Sequence, residues 1–221
     1  MEIDYCNFPD DALYDLENNV WVRLNEAKVA KVGITSVHAG LVGRLNRIRF
    51  KPIGTLLSRG QSIATIESVK YFGAVRAPLS GRLVAVNSAL ESKPKLANDS
   101  PYDEGWFAQI EPTQESEELP LLSDLRSIEE KVRSQIRELH VRCFKAYPDH
   151  EMWEIGVECG AVLVRLNELM VRCSLDDVVH VVSDDPTADI EMVRWSDETG
   201  QALLESRTEG SLFHFIVRKV R

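Results

Sequence analysis

The 221-residue sequence lacks the features of several common protein classes. It has no apolar run long enough to span a bilayer, and its formal net charge of −9 leaves no basic excess for nucleic-acid phosphates. No Ser-His-Asp set or phosphate-cradling glycine loop is evident, and the 5 histidines are scattered. The acidic N-terminus has neither the basic nor the apolar region of a signal peptide. We therefore expect a cytoplasmic protein, not an enzyme, that binds neither nucleic acid nor membrane.

Cysteine is also scarce. The four cysteines, Cys6, Cys143, Cys159 and Cys173, lie far apart and form no Cys-x-x-Cys pair. In a reducing compartment such cysteines stay as free thiols, which is what we expect here. Their spacing is not that of a zinc site, so no metal site is expected.

Short β-type runs fill the first half of the chain, separated by Gly, Pro and Asn. The clearest runs are residues 20–24, 28–32, 47–50, 62–66 and 82–86. Many short strands without long helices between them predict an all-β sandwich or flattened barrel. A short helix is predicted over residues 35–41.

The middle of the chain changes character after Pro112. Residues 113–118 are polar and acidic, which indicates a linker. Apolar residues then recur at steps of three and four from Leu125 to Cys143, so an amphipathic helix is predicted, with Ser123 as its N-cap. Docking on its own chain, bridging to a second domain and mediating dimerisation all remain open for this helix.

The last third alternates strand and helix patterns in the order β-α-β-α-β-β. This order predicts a small α+β two-layer sandwich. The fold class is therefore mixed, with an all-β barrel or sandwich and flanking helix first and the α+β sandwich second. The predicted domains are residues 1–112, a linker and helix over 113–149, and residues 150–221.

One lysine stands out by its context. The run Glu67-Ser68-Val69-Lys70 closes a predicted strand, and Ala77-Pro78-Leu79-Ser80-Gly81 opens the next. A β-hairpin built this way would hold Lys70 at its tip, where it can be acylated and used as a swinging arm. The alternative is an ordinary solvated surface lysine.

Eight short motifs occur in an order and spacing that resemble the lipoyl-carrier H protein of the glycine cleavage system, over residues 5–112. They are Phe8-Pro9-Asp10, Val20-Trp21-Val22, Val32-Gly33-Ile34-Thr35, Glu67-Ser68-Val69-Lys70, Ala77-Pro78-Leu79-Ser80-Gly81, Val86-Asn87, Asn98-Asp99-Ser100-Pro101-Tyr102 and Glu104-Gly105-Trp106. The resemblance implies a lipoyl-type fold and lipoic acid attached covalently to Lys70. It also implies recognition of Glu67 by the lipoate attachment enzyme.

A second set of residues, over about 150–221, resembles the TusA-type (SirA-like) sulfur-carrier family. The set is Gly156, Cys159, Val182-Ser183-Asp184-Asp185-Pro186, Trp195, Thr199-Gly200 and Phe213-His214-Phe215-Ile216-Val217-Arg218-Lys219. The family's Cys-Pro-x-Pro signature is broken, because Gly160 and Val162 replace both prolines.

Cys159 falls at the predicted start of a helix, where the helix dipole favours a thiolate or persulfide. The resemblance therefore implies that Cys159 carries a persulfide. The alternative is a small buried apolar residue, and for Cys173 that core-filling role is the expected one.

A basic run departs from the usual H-protein pattern. Arg44, Arg47, Arg49 and Lys51 concentrate positive charge on an otherwise acidic chain, and the bulky pair Tyr71-Phe72 follows the lysine. These departures resemble the lipoate-binding proteins of bacterial sulfur oxidation, which serve a heterodisulfide-reductase-like complex. The run is then a docking face for different partners. A solvated strand face is the alternative.

Together these resemblances favour a fusion in which Cys159 receives sulfur and the lipoyl arm on Lys70 carries it to a heterodisulfide-reductase-like complex or other sulfur-transfer proteins. Fusion would raise the effective concentration of one carrier near the other. Two alternatives remain. The chain is a conventional H protein that shuttles an aminomethyl group between glycine cleavage subunits, or its C-terminal domain is only a non-catalytic docking module.

Overall fold

The computed structural model describes all 221 residues and divides into two compact units, Met1–Cys143 (unit 1) and Phe144–Arg221 (unit 2). Each unit has its own hydrophobic core. No helix in either unit combines the length and the apolar character that crossing a membrane requires.

Unit 1 is mainly β-structure. Its strands are β1 (Glu2–Ile3), β2 (Cys6–Asn7), β3 (Leu13–Asp15), β4 (Val20–Leu24), β5 (Ala30–Ile34), β6 (Leu45–Phe50), β7 (Leu56–Leu57), β8 (Ser62–Ser68), β9 (Phe72–Arg76), β10 (Gly81–Val86), β11 (Ala108–Pro112) and β12 (Ser123–Asp124). Its helices are α1 (Ser36–Val42), α2 (Ala89–Ser92), α3 (Leu96–Asp99), α4 (Glu115–Glu118) and α5 (Leu125–Glu138), with a 3-10 turn at Leu119–Leu121.

The strands form an antiparallel β-sandwich. One sheet has seven strands in the order β12-β3-β4-β5-β11-β10-β7, and the other has three in the order β6-β8-β9. Val22 and Val32 from the first sheet share one buried cluster with Ile48 and Ile66 from the second. Apolar side chains from both sheets therefore fill the space between them. The predicted β-sandwich is confirmed.

Helix α5 packs on its own unit. Its apolar stripe, Leu125, Ile128, Val132 and Ile136, is buried in a second cluster that contains Trp21. Burial of each of these side chains is worth roughly 1.5–3 kcal/mol. This packing answers the question left open by the sequence, because the face that could have bridged or dimerised is already covered.

The cap of α5 differs from the predicted one. The N-cap is Asp124 rather than Ser123, and its carboxylate accepts a hydrogen bond from the Ser127 amide at 3.1 Å. Ser123 is instead paired with Tyr14 across β12 and β3.

The predicted linker is also part of unit 1, and this corrects the boundary at residue 112. Glu118 is buried, and its carboxylate accepts hydrogen bonds from the amide of Ser80 at 2.5 Å and from its hydroxyl at 2.6 Å. The acidic run is therefore anchored to the sandwich, and the unit ends at Cys143. The polar composition of residues 113–118 indicates exposure, which holds for most of them, but it does not show that Glu118 is buried.

Two of the four cysteines are joined, so the prediction of four free thiols is wrong. Cys6 and Cys143 form a disulfide with their Cα atoms 5.0 Å apart, and Cys159 and Cys173 are free. The pair is 137 residues apart in sequence. Because α5 packs against the N-terminal part of the unit, Cys143, five residues beyond the helix, comes close to Cys6 in β2, and the spacing of the cysteines in the sequence does not show this.

Unit 2 has the predicted order β-α-β-α-β-β. Its elements are β13 (His150–Glu154), α6 (Cys159–Arg172), β14 (Val178–Ser183), α7 (Ala188–Thr199), β15 (Ala202–Glu209) and β16 (Leu212–Arg218). The sheet order is β13-β14-β16-β15, with only the β13–β14 pair parallel. The first strand ends at Glu154, and Gly156 lies in a turn with φ +72°.

The core of unit 2 lies between its sheet and its two helices. Val179 and Val181 of β14 are buried in one cluster with Leu166 of α6 and Trp195 of α7. Every residue of β14 is buried, as expected for a central strand. Helix α7 ends at Gly200, whose φ of +68° gives the left-handed conformation that a helix end commonly needs.

Candidate functional site: a lysine at a hairpin tip

Lys70 lies at the tip of the hairpin formed by β8 and β9. The Ser68 amide donates a hydrogen bond to the Tyr71 carbonyl at 2.8 Å, which closes the turn around Val69 and Lys70. Both turn residues are exposed, and Val69 is 98% exposed. The return strand is Phe72–Arg76, so the prediction that Ala77-Pro78-Leu79-Ser80-Gly81 opens it is wrong.

The Ser68 hydroxyl fixes the tip to the end of α1. It donates a hydrogen bond to the Val42 carbonyl at 2.6 Å. It also accepts hydrogen bonds from the amides of Lys70 at 3.2 Å and Tyr71 at 3.1 Å. One buried hydroxyl thus links the backbone amides of Lys70 and Tyr71 to helix α1, so the backbone at Lys70 is held in a fixed position.

Gly43, directly after α1, leaves room for the lysine stem. Its φ is +79°, a conformation that residues with a Cβ rarely adopt. A Cβ at this position would also lie 2.7 Å from Lys70 Cε. The stem of Lys70 therefore rests on bare backbone. We call this contact the Gly43 cradle.

A buried asparagine holds the Gly43 cradle in place. The Asn98 side-chain amide donates to the carbonyls of Ala39 at 3.1 Å and Gly43 at 2.9 Å. Its carbonyl oxygen accepts from the Leu45 amide at 2.9 Å. Three backbone groups at the junction of α1 and β6 are satisfied by this one side chain. The predicted site included neither Asn98 nor Gly43, although Asn98 occurs in one of the motifs above.

The ring of His38 lies below the tip. It packs edge-on against Tyr71 with ring centroids 6.3 Å apart, and it is buried. Burial lowers the pKa of His38 to about 4, only partly opposed by a hydrogen bond with the Asn19 backbone. The imidazole is therefore neutral at physiological pH and adds no positive charge beneath the lysine.

The predicted docking residues lie along β6, the strand that pairs with β8, and Arg47 is the one that contacts Glu67. Arg47 of β6 lies opposite Glu67 of β8, with Arg47 Nη1 3.3 Å from Glu67 Oε2, and Arg49 lies two residues further on the same exposed face. Arg44 is exposed just before β6, whereas Lys51 is half-buried after it. The face thus carries concentrated positive charge with Glu67 already engaged by Arg47.

Phe72 adds an apolar element to this face. It is paired with Glu67 across β8 and β9 and is 77% exposed. A large exposed aromatic ring next to guanidinium groups is typical of contact surfaces. The surface beside the lysine therefore offers both charge and apolar area to a partner.

Cys159, in unit 2, has a different environment from the predicted one. It is the first residue of α6, it is buried, and its amide donates to Asp185 Oδ2 at 2.8 Å. Burial and, to a smaller extent, the carboxylates of Asp185 and Glu191 together raise the pKa of the Cys159 thiol to about 11. The direction of this shift is opposite to the thiolate expected at a helix terminus.

Cys173 fills the core, as expected. It is buried with the apolar cluster of unit 2, and burial raises the pKa of its thiol. One of the scattered histidines nevertheless lies close to two other side chains of metal-ligating type. His150, Cys173 and Asp177 place one ligand atom each within 4.8 Å of one another.

Comparison with known proteins identifies the class to which unit 1 corresponds. The family model described as "Glycine cleavage H-protein" matches residues 12–135. The chain belongs to the glycine cleavage H-protein family. Its members are carriers rather than enzymes, with lipoic acid attached covalently to a lysine. The family interacts with glycine cleavage subunits and lipoate ligase.

Individual relatives agree with this assignment. "Glycine cleavage system H protein 3" of Aquifex aeolicus is 38% identical over 147 residues, which are 65% of this chain and 91% of that protein. "Probable glycine cleavage system H protein 2" of Sulfolobus acidocaldarius is 37% identical over 56% of this chain and 85% of its own length. The crystal structure of an H protein from Mycobacterium marinum is 28% identical, with a TM-score of 0.51, over 57% of this chain and 98% of that one.

Proposed function

We propose that Lys70 is the residue that bears the lipoyl group, so that unit 1 is a swinging-arm carrier. The observation that carries this assignment is the exposed position of Lys70 on a turn held by Ser68 and the Gly43 cradle. The group supplies a dithiolane that can be reduced and can bear a cargo on sulfur, while the protein positions it.

The surroundings of Lys70 support two further roles. Glu67 lies on the same hairpin, three residues before the lysine, and is proposed as a contact of the attachment enzyme. Arg44, Arg47, Arg49 and Lys51 are proposed as a docking face for an acidic partner, since charge complementarity sets partner choice and association rate.

Lipoylation in vitro tests the assignment of Lys70. The full chain is incubated with lipoate, ATP and a lipoate ligase, and its intact mass is followed. We expect one adduct that is absent in Lys70→Arg and present in Lys93→Arg, which changes an exposed lysine away from the hairpin. Glu67→Gln should slow the reaction without abolishing it. An unchanged adduct in Lys70→Arg would refute the assignment.

We further propose that the cargo is sulfur and that unit 2 is a TusA-type sulfur-carrier domain. Its support is the element order of unit 2 and the placement of Cys159 at the first strand-to-helix junction. The thiol of Cys159 would accept the sulfane sulfur of a persulfide donor and become a persulfide. The S–S bond of the donor would break, and the donor would leave as a thiol. Cys159 would then release that sulfur to the dithiol arm and return to its own thiol, with no net redox change. A heterodisulfide-reductase-like complex or another sulfur-transfer protein would be the partner.

Two observations favour the alternatives. The relatives named above are glycine cleavage system H proteins, which favours transport of an aminomethyl group between glycine cleavage subunits. The buried Cys159, with its raised thiol pKa, favours a unit 2 that acts only in docking.

One set of reactions separates these functions. Lipoylated, reduced protein is incubated with a persulfide donor and digested to locate mass gains. Sulfur transfer is supported if sulfur adducts form on both Cys159 and the arm. The adduct on the arm should then be absent in Cys159→Ser and present in Cys173→Ser. Adducts on neither group refute it. Activity in reconstitution with glycine cleavage subunits supports the conventional function, and binding without either activity supports docking.

A further inference from the structure

The end of unit 2 where α6 finishes brings three metal-ligating side chains together. We infer that His150, Cys173 and Asp177 form a binding site for a divalent cation of the zinc type, which we call the His-Cys-Asp cluster. His150 is the first residue of β13, Cys173 directly follows α6, and Asp177 directly precedes β14. Three separate elements therefore converge on one point, independently of the lysine site in unit 1.

The distances suit a small cation. The ligand atoms of the His-Cys-Asp cluster all lie within 4.8 Å of one another. Around a tetrahedral zinc ion, with bonds of about 2.0–2.3 Å, neighbouring ligand atoms are roughly 3.3–3.8 Å apart. Closing this difference needs atom movements of roughly 1 Å, which side-chain rotation can supply without moving the strands.

The backbone already orients two of the ligands. Asp177 Oδ2 accepts a hydrogen bond from the Ser174 amide at 2.7 Å, which closes the turn between α6 and β14. It also lies 3.3 Å from His150 Nε2. Cys173 is fixed by the hydrogen bond from its amide to the Leu169 carbonyl at 3.0 Å. Such supporting contacts are those that tune real metal sites.

The cluster is open to solvent on one side. The side chains of His150 and Asp177 are 40% and 24% exposed, whereas Cys173 is 6% exposed. A cation would thus approach past the imidazole and the carboxylate and meet the sulfur at the base of the site. The arrangement leaves a fourth coordination position for water or a small ligand on the exposed side.

Ligand chemistry selects the type of cation. A thiolate together with an imidazole and a carboxylate is a set that zinc accepts, whereas Ca²⁺ and Mg²⁺ prefer oxygen ligands throughout. On binding, the S–H bond of Cys173 breaks, a metal–sulfur bond forms and the proton passes to solvent. The thiolate and Asp177 together then match the +2 charge of the ion.

A neighbouring cation must be taken into account. Lys219 Nζ donates to the carbonyls of Met170 and Cys173, both at 2.8 Å. These bonds hold the ammonium group on the carbonyl end of α6, where a helix C-terminus favours positive charge. The lysine therefore has partners of its own and does not need the carboxylate or the sulfur of the cluster.

Cobalt titration of the full chain tests the inference. Metal-free protein is kept under argon without added thiol, so that the Cys6–Cys143 disulfide stays closed. We expect one equivalent of Co²⁺ to produce a thiolate-to-cobalt charge-transfer band that stoichiometric Zn²⁺ removes. Cys173→Ser should abolish the band, and His150→Gln, at a half-exposed position, should weaken binding at least ~10-fold. Cys159→Ser is the matched control and should retain both band and stoichiometry.

Other results of the same titration would contradict the proposed metal site. Absence of the band in wild type, its persistence in Cys173→Ser, or its loss in Cys159→Ser would each show that no such cluster binds the ion. Circular dichroism of each variant guards against misfolding. Because His150 is one of the three proposed ligands, unchanged affinity in the folded His150→Gln variant would also refute the inference.

Discussion

The hydrogen bonds of the Ser68 hydroxyl lead to a specific prediction about how the backbone at Lys70 is held in place. Ser68→Ala removes one donated hydrogen bond, to Val42, and two accepted ones, from Lys70 and Tyr71. We expect the hairpin tip to loosen while the sandwich below it stays folded, because the lost bonds all converge on the turn.

The size of the effect follows from burial. Val42 is fully buried, so its carbonyl would lose its partner away from water, at a cost of about 1–3 kcal/mol. The two turn amides can bond to water instead and add little. We therefore expect about 2 kcal/mol, which is roughly a 30-fold increase in the local opening equilibrium.

Hydrogen exchange measured by mass spectrometry reports this opening directly. A peptide spanning residues 66–73 should exchange faster in Ser68→Ala, whereas peptides from β4 and β5 should not change. Ser62→Ala is the matched control, since it removes one 3.2 Å hydroxyl bond to the Ala64 carbonyl from the other end of the same strand. If both variants give the same exchange at the tip, the anchoring role assigned to Ser68 is wrong.

Three more predictions concern unit 1. Gly43→Ala should cost about 1–3 kcal/mol in thermal or urea unfolding, because φ is +79°, and should also slow lipoylation by displacing the lysine stem. The pKa of His38 is lowered from 6.5 to about 4 in the folded protein, so as the pH falls the unfolded state takes up the proton first. The free energy of unfolding should therefore be at its full value above about pH 6.5. It should fall by on the order of 3 kcal/mol as the pH approaches 4. Opening the Cys6–Cys143 disulfide with dithiothreitol should lower the unfolding free energy of unit 1 by about 2–5 kcal/mol.

Each of these predictions has its own control. Gly54→Ala introduces similar backbone strain, at φ +92°, with nothing within 4 Å, so it should lower stability and leave lipoylation unchanged. His38→Phe should flatten the acid loss of stability, whereas substitution of exposed His140 should not. In a Cys6→Ser, Cys143→Ser double variant the reductant should have no effect. Equal lipoylation in both glycine variants, or a reductant effect that survives in the double variant, would contradict the reasoning.

Local patterns predicted most of the secondary structure. Helix α5 follows from an apolar repeat that one helix face must bury, and β14 from a run of apolar residues with no polar face. The return strand Phe72–Arg76 did not follow, because Gly73 and the two aromatics before it do not form an alternating pattern. Its identity comes from pairing with β8, which is a tertiary contact.

The parts of the site that escaped prediction all depend on distant partners. Asn98 lies more than fifty residues from the backbone groups it satisfies at Gly43 and Leu45. The thiol of Cys159 illustrates the same limit. Its own helix predicts an ionised sulfur, whereas its burial and Asp185, which belongs to another turn, raise its pKa. The sequence shows the electrostatic effect of the helix or strand to which a residue belongs. It does not show the effect of the elements that pack against that residue in the fold.

The Gly43 cradle determines where the motion of an attached arm begins. While the stem lies on this backbone, the carbons up to Cε belong to the rigid body of the unit, and only the bonds from Nζ outward can sweep. Acylation would remove the charge of the lysine and keep its methylene stem, which is the part that contacts Gly43. On the proposed assignment of the lipoyl group to Lys70, the volume searched by the arm would therefore be set by this glycine, and lifting the stem would lengthen the reach without altering the cofactor.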